Sequence, residues 1–478
     1  MMHAASEHWD MIIVGAGSAG LPCAITAADG GVRVLVIEKA DEIGGTLHWS
    51  GGHLSAGGTR RQRARGIADS PDLHFADVLR LAHGDVDTAL VRLAVDEAPH
   101  TVDWLDDLDL PWDPITPRLV YGHEPYQIAR TYYGVDGGKS ILATLRPLWD
   151  AHVAAGRITV LFEHALTNLL IEDGAVAGVQ AQAKSGAVLF RGRNVVLTSG
   201  GYAANHQFFT QVTPGQPKLV STARPTSTGD GISAARALGA GFRHAEKYLA
   251  SLGGIELEPG SGWADYQTAW AMVFTTSYRA PREIYVNTRG ERFMAEDDPS
   301  PDLRERLILQ QPEHKFWCVF DERGLTEGTP LVKQWGVDEL RARAAEGKCM
   351  WRADSIAELA RQTGIDEAGL VATVQRFNTA ARTGDDVFGR TDRRYTLETP
   401  PFYALLTHAT SLLSFGGLTV NADLQVLNET GAPIPHLYAA GEILGAAALM
   451  GQSFCSGMLL TPCLSFGRIL GRRLAAQH

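Results

Sequence analysis

The sequence predicts an α/β protein whose nucleotide-binding domain is split along the chain and interrupted by an inserted domain. Three observations carry this. The chain opens with two short apolar runs around a glycine loop, "DMIIVGAGSAGLPCAITAADGGVRVLVIEKA" at 10–40. Loops of similar composition return at "TSGGY" (198–202), "TSTGDGISAARALGAG" (226–241) and "AAGEI" (439–443). Between about 246 and 398 these signals stop, and hairpin and helix patterns replace them. The expected organisation is therefore a nucleotide-binding part over 1–245, an inserted domain over 246–398, and a returning part over 399–478.

Each piece of the opening unit has a physical task in a Rossmann-like βαβ arrangement. Gly15 lets the chain turn out of the first strand, Gly17 lets a pyrophosphate approach the backbone, and Gly20 lets the helix pack on the sheet. The helix N-terminus offers free N–H groups to the phosphates. Glu38 closes the second strand, eighteen residues past Gly20, where a carboxylate would accept hydrogen bonds from the adenosine ribose.

Two later segments separate the cofactors that share this unit. "GGTLHWSGGHLSAGG", 44–58, carries little side chain at many positions, which suits backbone wrapped around a second phosphate or a flavin ring. "PIPHLYAAGEI", 433–443, ends an apolar run in Gly441-Glu442, an acid placed to bind a ribityl hydroxyl. A nicotinamide cofactor has no ribityl chain, so the pattern favours a flavin.

The segment 62–150 reads as a helical insertion, with Leu90, Ala94, Ala98, Val102 and Leu105 forming one apolar stripe of core type. Residues 155–193 read as a strand meander, with "EDGAVAG" as a hairpin signal.

Composition excludes several classes. The net charge of −11 argues against a nucleic-acid partner, and the one dense basic run, "RRQRAR" at 60–65, reads as a solvated patch. Five cysteines without a CxxC pair suggest neither a disulfide framework nor a metal site. No stretch approaches the ~20 apolar residues of a membrane span, "MMHAASEHWD" is too polar for a signal peptide, and a cytoplasmic protein is expected.

Taken in order, "SGGY", "TGDG", "IYVNTRGERFMAE", "GIDEAGLVATVQRFNTAARTGDDVFGR", "PPFYA", "GGLTVNADLQVL" and "LYAAGEILG" resemble a flavoprotein superfamily. It is the one that contains the fumarate reductase and succinate dehydrogenase flavoprotein subunits and the 3-ketosteroid Δ1-dehydrogenases. The resemblance implies FAD, held without a covalent link because His48 does not fall where the linked members carry their histidine. It implies an α+β cap over 246–398 that closes on the flavin and excludes water. It also implies an FAD site built from Gly15, Gly17, Ser18, Ala19, Gly20, Glu38, Lys39, Gly44, Gly45, Thr46, Ser50, Gly51, Gly52, Ala165, Ser199, Gly200, Gly201, Thr228, Asp230, Gly441, Glu442, Gly457 and Leu459.

The two branches imply different substrates. The fumarate reductase pattern places an arginine, a histidine and a second arginine at positions that are here Ser300, Leu412 or Leu413, and Phe454, leaving only Arg279. A dianion buried without paired cations is costly, which disfavours a fumarate or succinate substrate. The ketosteroid dehydrogenase branch fits better through "GGTLHWSGG", "AEDDPSPD", Pro462, Phe466 and Gly467, and it places Gly457 where a backbone N–H meets a ketone oxygen. The segment "GQSFCSGMLLTPCLSFGR", 451–468, is uncharged up to Arg468 and suits a neutral carbonyl.

That branch's catalytic tyrosines are replaced by Ser300 and by Ser453 or Phe454, so the proton chemistry is expected in "YGHEPYQIARTYYG", 121–134. The expected catalytic set is Tyr132 or Tyr133, with Tyr126, Gly457, Ser300 and Arg130. In this reading a tyrosine of lowered pKa removes the proton α to the carbonyl and the β hydride goes to flavin N5. Arg130 and His123 raise the further expectation of one remote carboxylate on the ketone. The expected activity is desaturation of a cyclic ketone, a 3-ketosteroid or a smaller oxocycloalkane, with a separate electron acceptor. The alternatives are a fumarate-reductase-like ene-reductase acting on an unsaturated acid, and a protein whose FAD is structural.

Overall fold

The computed structural model describes residues 8–213, 220–273 and 276–478, so most of the polar N-terminal stretch lies outside the described residues. Strand β1 (His8–Val14), helix α1 (Gly20–Asp29) and strand β2 (Val34–Ile37) form the opening βαβ unit, with Met11 opposite Val34 in parallel register. Strands Gly186–Leu197 and Pro433–Ala439 extend the parallel sheet on one side of β1, and Ile158–Leu161 extends it beyond β2. The runs "IIV" and "VLVI" are buried on both faces, as expected of parallel strands covered by helices.

Small residues set how closely the cover packs. Helix Leu460–Ala475 lies on α1, and a Cβ at Gly467 would stand 2.2 Å from the Ala19 carbonyl oxygen. Gly20 is tighter still, since its Cβ would meet the Gly15 carbonyl oxygen at 1.9 Å. The Gly467 contact therefore brings the C-terminal helix onto the nucleotide loop of the N-terminal unit.

The meander appears as antiparallel strands Ala165–Glu172, Ala175–Ala183 and Gly186–Leu197, the first two joined by Asp173 and Gly174, both at positive φ. In the insertion, the stripe Leu90, Ala94, Ala98, Val102 and Leu105 is buried along helix Thr88–Asp107. Thr101 of the same helix meets Ser465 of the last helix, oxygen to oxygen, at 2.8 Å. The basic run at 60–65 is neutralised on the surface, with Arg60 paired to Asp103 and Asp107 and Arg61 to Asp106.

The inserted domain is built on a second, mostly antiparallel sheet. Strand Phe402–Ser411 is its centre, pairing with Ser251–Gly254, Lys315–Asp321, Met350–Ala353 and Val220–Ser221. The expected boundary at 399 is therefore displaced: 402–411 belongs to this sheet, and the return to the nucleotide-binding sheet comes after it. The strand is almost wholly buried, so its sequence marks burial without showing which sheet it joins. All five cysteines are buried and unpaired.

Candidate active site

Loops from distant parts of the chain meet at the end of the parallel sheet. Gly15 takes φ +101° and Gly44 φ +112°, and the Gly44 N–H donates to the Ala16 carbonyl at 2.8 Å. A Cβ on Gly17 would have Gly45 Cα as its nearest neighbour, 3.9 Å away, so no side chain stands between these two loops. Glu38 closes β2 with its carboxylate accepting from the Ala16 N–H at 2.7 Å and the Ala40 N–H at 2.8 Å. Lys39 crosses to Asp230 at 2.7 Å and to Thr228, joining residues nearly two hundred positions apart.

On the other side of the sheet, Gly201 presses on Ser414 and Glu442, and Gly441 on Ala19. Ala165 begins its strand just after His164, whose N–H donates to the Glu38 carbonyl at 2.9 Å. Ser50 accepts from the Gly52 N–H through its hydroxyl at 3.0 Å and from the Gly138 N–H through its carbonyl at 3.0 Å. Thr46 lies in the short helical turn Gly45–His48, and its carbonyl accepts from the Ser50 N–H at 2.9 Å.

These residues fit FAD on structural grounds. The Ser199 hydroxyl is buried without a hydrogen-bond partner among the described residues. Burial raises the pKa of the Glu442 carboxyl, which accepts the Ser414 N–H at 2.9 Å. Orphaned polar groups beside side-chain-free loops are what a polyhydroxylated dinucleotide would satisfy. His48 meanwhile meets the Ile43 carbonyl through Nε2 at 2.8 Å, so its ring is engaged locally.

Next to this cradle the C-terminal loop forms a corner with the insertion. Gly457 takes φ +78°, and a Cβ there would lie 2.4 Å from the Ser55 nitrogen. The Ser55 N–H in turn donates to Thr461 at 2.8 Å. No acceptor for the Gly457 N–H is found among the described residues. Leu459 precedes the last helix and has no side-chain cap, which leaves that helix N-terminus open.

The short strand Thr131–Tyr132 decides which tyrosine enters the corner, because successive side chains alternate in side. Tyr132 turns away, bonded to the Thr59 hydroxyl at 2.6 Å and edge-on to Trp112. Tyr133 faces the corner, 4.6 Å from the His53 ring and under the Arg118 guanidinium at 4.7 Å. Thr131 reaches Ser456, and Ser456 meets His53 Nδ1 at 3.3 Å. His53, His123 and Phe454 follow one another ring to ring at 5.9 and 5.3 Å. Ser300 donates a short hydrogen bond to the Glu124 carboxylate.

The geometry revises several sequence expectations. Arg130 is fully buried, fork to fork with Asp69 at 2.9 and 3.0 Å, 3.1 Å from Asp77, and bonded to the Leu73 carbonyl. Its donors are occupied, so it does not hold a substrate carboxylate. Arg279 is likewise locked on Glu283 at 2.7 and 2.8 Å. Tyr126 braces the corner from behind, donating to the Ser456 carbonyl at 2.6 Å. A tyrosine of lowered pKa is not found among the three candidates, because burial pushes Tyr126, Tyr132 and Tyr133 upward. His53 and His123 are pulled down by burial to about 3 and about 4, so both imidazoles are neutral near pH 7.

Sequence reasoning passed over His53, Arg118, Ser456 and the role of Glu124. His53 stood in the glycine-rich 44–58 segment and Ser456 next to Gly457, so proximity to flagged residues was the available signal. Arg118 had none, since only its pairing opposite Thr131, with N–H to carbonyl distances of 3.0 and 3.2 Å, aims it at this face.

A split parallel sheet with glycine cradles and an inserted second sheet defines a flavin-binding architecture. The chain belongs to the family described as FAD binding domain, whose model matches residues 10–457. It is 30% identical to the NADH:fumarate oxidoreductase of Klebsiella pneumoniae over 99% of this chain and 48% of that protein. The chain thus spans about half the length of that relative. It is 26% identical to the 3-oxosteroid 1-dehydrogenase of Mycolicibacterium smegmatis over 100% of this chain and 99% of that protein. The fold matches the 3-ketosteroid Δ1-dehydrogenase of Sterolibacterium denitrificans, crystallised with 1,4-androstadiene-3,17-dione, at a TM-score of 0.79 and 21% identity, covering 99% and 100% of the two chains. The protein is accordingly a flavoprotein of the FAD binding domain family, similar to both fumarate reductases and 3-oxosteroid dehydrogenases. No helix among the described residues is long and apolar enough to cross a membrane.

Proposed function

We propose that the protein desaturates the bond α,β to the carbonyl of a cyclic ketone. The observation that carries this is the corner at Gly457: an N–H without an acceptor among the described residues, beside Ser456, Tyr133 and two neutral imidazoles. Such donors suit a neutral oxygen. Bound FAD, held by the cradle residues without a covalent link, supplies the two-electron acceptor.

The chain's own residues divide the remaining work. Gly457 N–H and the Tyr133 hydroxyl polarise the carbonyl, and the raised pKa of Tyr133 keeps it a proton donor at neutral pH. Glu124 takes the α proton, since it accepts from Ser300 and has no cation within ion-pair reach among the described residues. Phe454 and Phe415, 5.9 Å apart, keep this wall apolar and exclude water. A separate acceptor, not identified by the site, reoxidises the enzyme.

A second reading, reduction of an unsaturated acid, is favoured by the name of the Klebsiella relative. Against it stand the uncharged Ser300, Leu412 or Leu413, and Phe454, and the locked Arg279. Anaerobic mixing of oxidised holoenzyme with saturated cyclic ketones is expected to bleach the flavin, while fumarate is expected to leave reduced enzyme unchanged. Reoxidation by fumarate with no bleaching by any ketone would overturn the proposal. A flavin inert to both series would point to a structural role.

A further inference from the structure

One charged group of the corner, Arg118, is hydrogen-bonded to the Tyr133 side chain but has no carboxylate partner among the described residues. The Arg118 backbone is fixed opposite Thr131, and its guanidinium lies 4.7 Å from the centre of the Tyr133 ring. Its Nε is buried with no hydrogen-bond partner, and no carboxylate lies within ion-pair reach, both among the described residues. The protein's buried guanidiniums are satisfied: Arg130, Arg279, Arg292 and Arg390 each contact a buried carboxylate, and Arg304 donates to the Glu296, Asp298 and Val273 carbonyls. A half-buried guanidinium without a counter-ion is partly desolvated and uncompensated, and a planar carboxylate satisfies two of its donors at once.

We propose that Arg118 anchors a single carboxylate of the substrate, so that the substrate class is a cyclic keto monocarboxylic acid. This rests on the cyclic-ketone reading and narrows it. Arg118 and His53 both lie against the Tyr133 ring, so the charge borders the oxygen-binding corner. One cation matches one anion. The neighbouring imidazoles are neutral at pH 7 and add no second charge for a diacid.

The test is a binding titration of the FAD-loaded protein at pH 7, followed by the flavin spectrum, with cyclohexanecarboxylate and its neutral isostere cyclohexanecarboxamide. The acid should bind more tightly than the amide. Arg118→Gln should weaken the acid about ten- to hundred-fold and leave the amide unchanged. Arg118→Lys should keep part of the preference for the acid. Equal binding of acid and amide by the unaltered protein, or unchanged acid affinity in either variant, would overturn the assignment. If Arg118→Gln fails to retain FAD, the acid-to-amide ratio of the unaltered protein and of Arg118→Lys decides. Flavin bleaching by neutral cyclic ketones in the same preparations reports the reaction separately, so loss of the anchor and loss of the desaturase reading give different results.

Discussion

Arg130 and Glu124 lie six positions apart in one segment and do opposite things. The arginine, engaged by Asp69 and Asp77 in a buried cluster, is structural. Arg130→Ala should leave the buried Asp69 carboxylate without a cation, Asp77 keeping Arg80, and cost about 3–5 kcal/mol, measurable as a lower urea midpoint, while flavin chemistry survives in the folded fraction. Glu124→Gln keeps shape and removes the proton acceptor, so kcat should fall about 10²–10⁴-fold with little change in KM. Sequence could name this segment as chemical but could not sort its members. Arg130 was indistinguishable from a ligand-binding arginine because its partners come from another helix connection. Tyr132 and Tyr133 were separable only by knowing that Tyr132 ends an extended strand and bonds Thr59, so that the next side chain faces the opposite way.

Among the elements, helix Pro301–Leu309 is where structure and chemistry share an atom. Its N-cap Ser300 accepts from the Leu303 N–H at 3.1 Å and donates to Glu124 from the same oxygen. Ser300→Gly should cost only a few tenths of a kcal/mol as a cap, whereas Ser300→Ala should cost about 1 kcal/mol. Both should lower turnover equally, which thermal melts set beside single-turnover flavin reduction would show. A turnover loss that tracks the melting loss would make Ser300 a cap alone. Elements with a strong local period were legible: the βαβ unit and the 90–105 stripe need no information beyond their own residues. Strand Phe402–Ser411 was legible as a strand but not as a member of the second sheet, because its neighbours are set by partners up to 190 positions away.

For the whole molecule, His53 and His123 tie stability to pH. Their folded pKa values lie near 3 and 4, well below the ordinary 6.5, so the unfolded chain binds more protons as pH falls through 6.5. Stability should therefore be full above about pH 7 and decline below 6.5, by up to about 1.4 kcal/mol per unit for each ring. Urea unfolding at pH 7.5 and 5.5 should show this slope, and His53→Gln should remove part of it. An unchanged slope in that variant would place the acid sensitivity elsewhere. At this scale the sequence announced the FAD architecture through its scattered glycine loops, while the corner that reads the substrate was hidden, since no local pattern joins Arg118, His53 and Ser456.

The bond from the Ser55 N–H to Thr461 spans 406 positions and fixes the wall against which Gly457 rests. Because ribosomes deliver a chain from its amino end, the cradle loops at 15–58 are synthesised long before that wall exists. Maturation is thereby ordered: the first cradle loops emerge early, but both the completed cradle, which needs Gly441 and Glu442, and the wall at Gly457 arrive only once the returning C-terminal segment has docked.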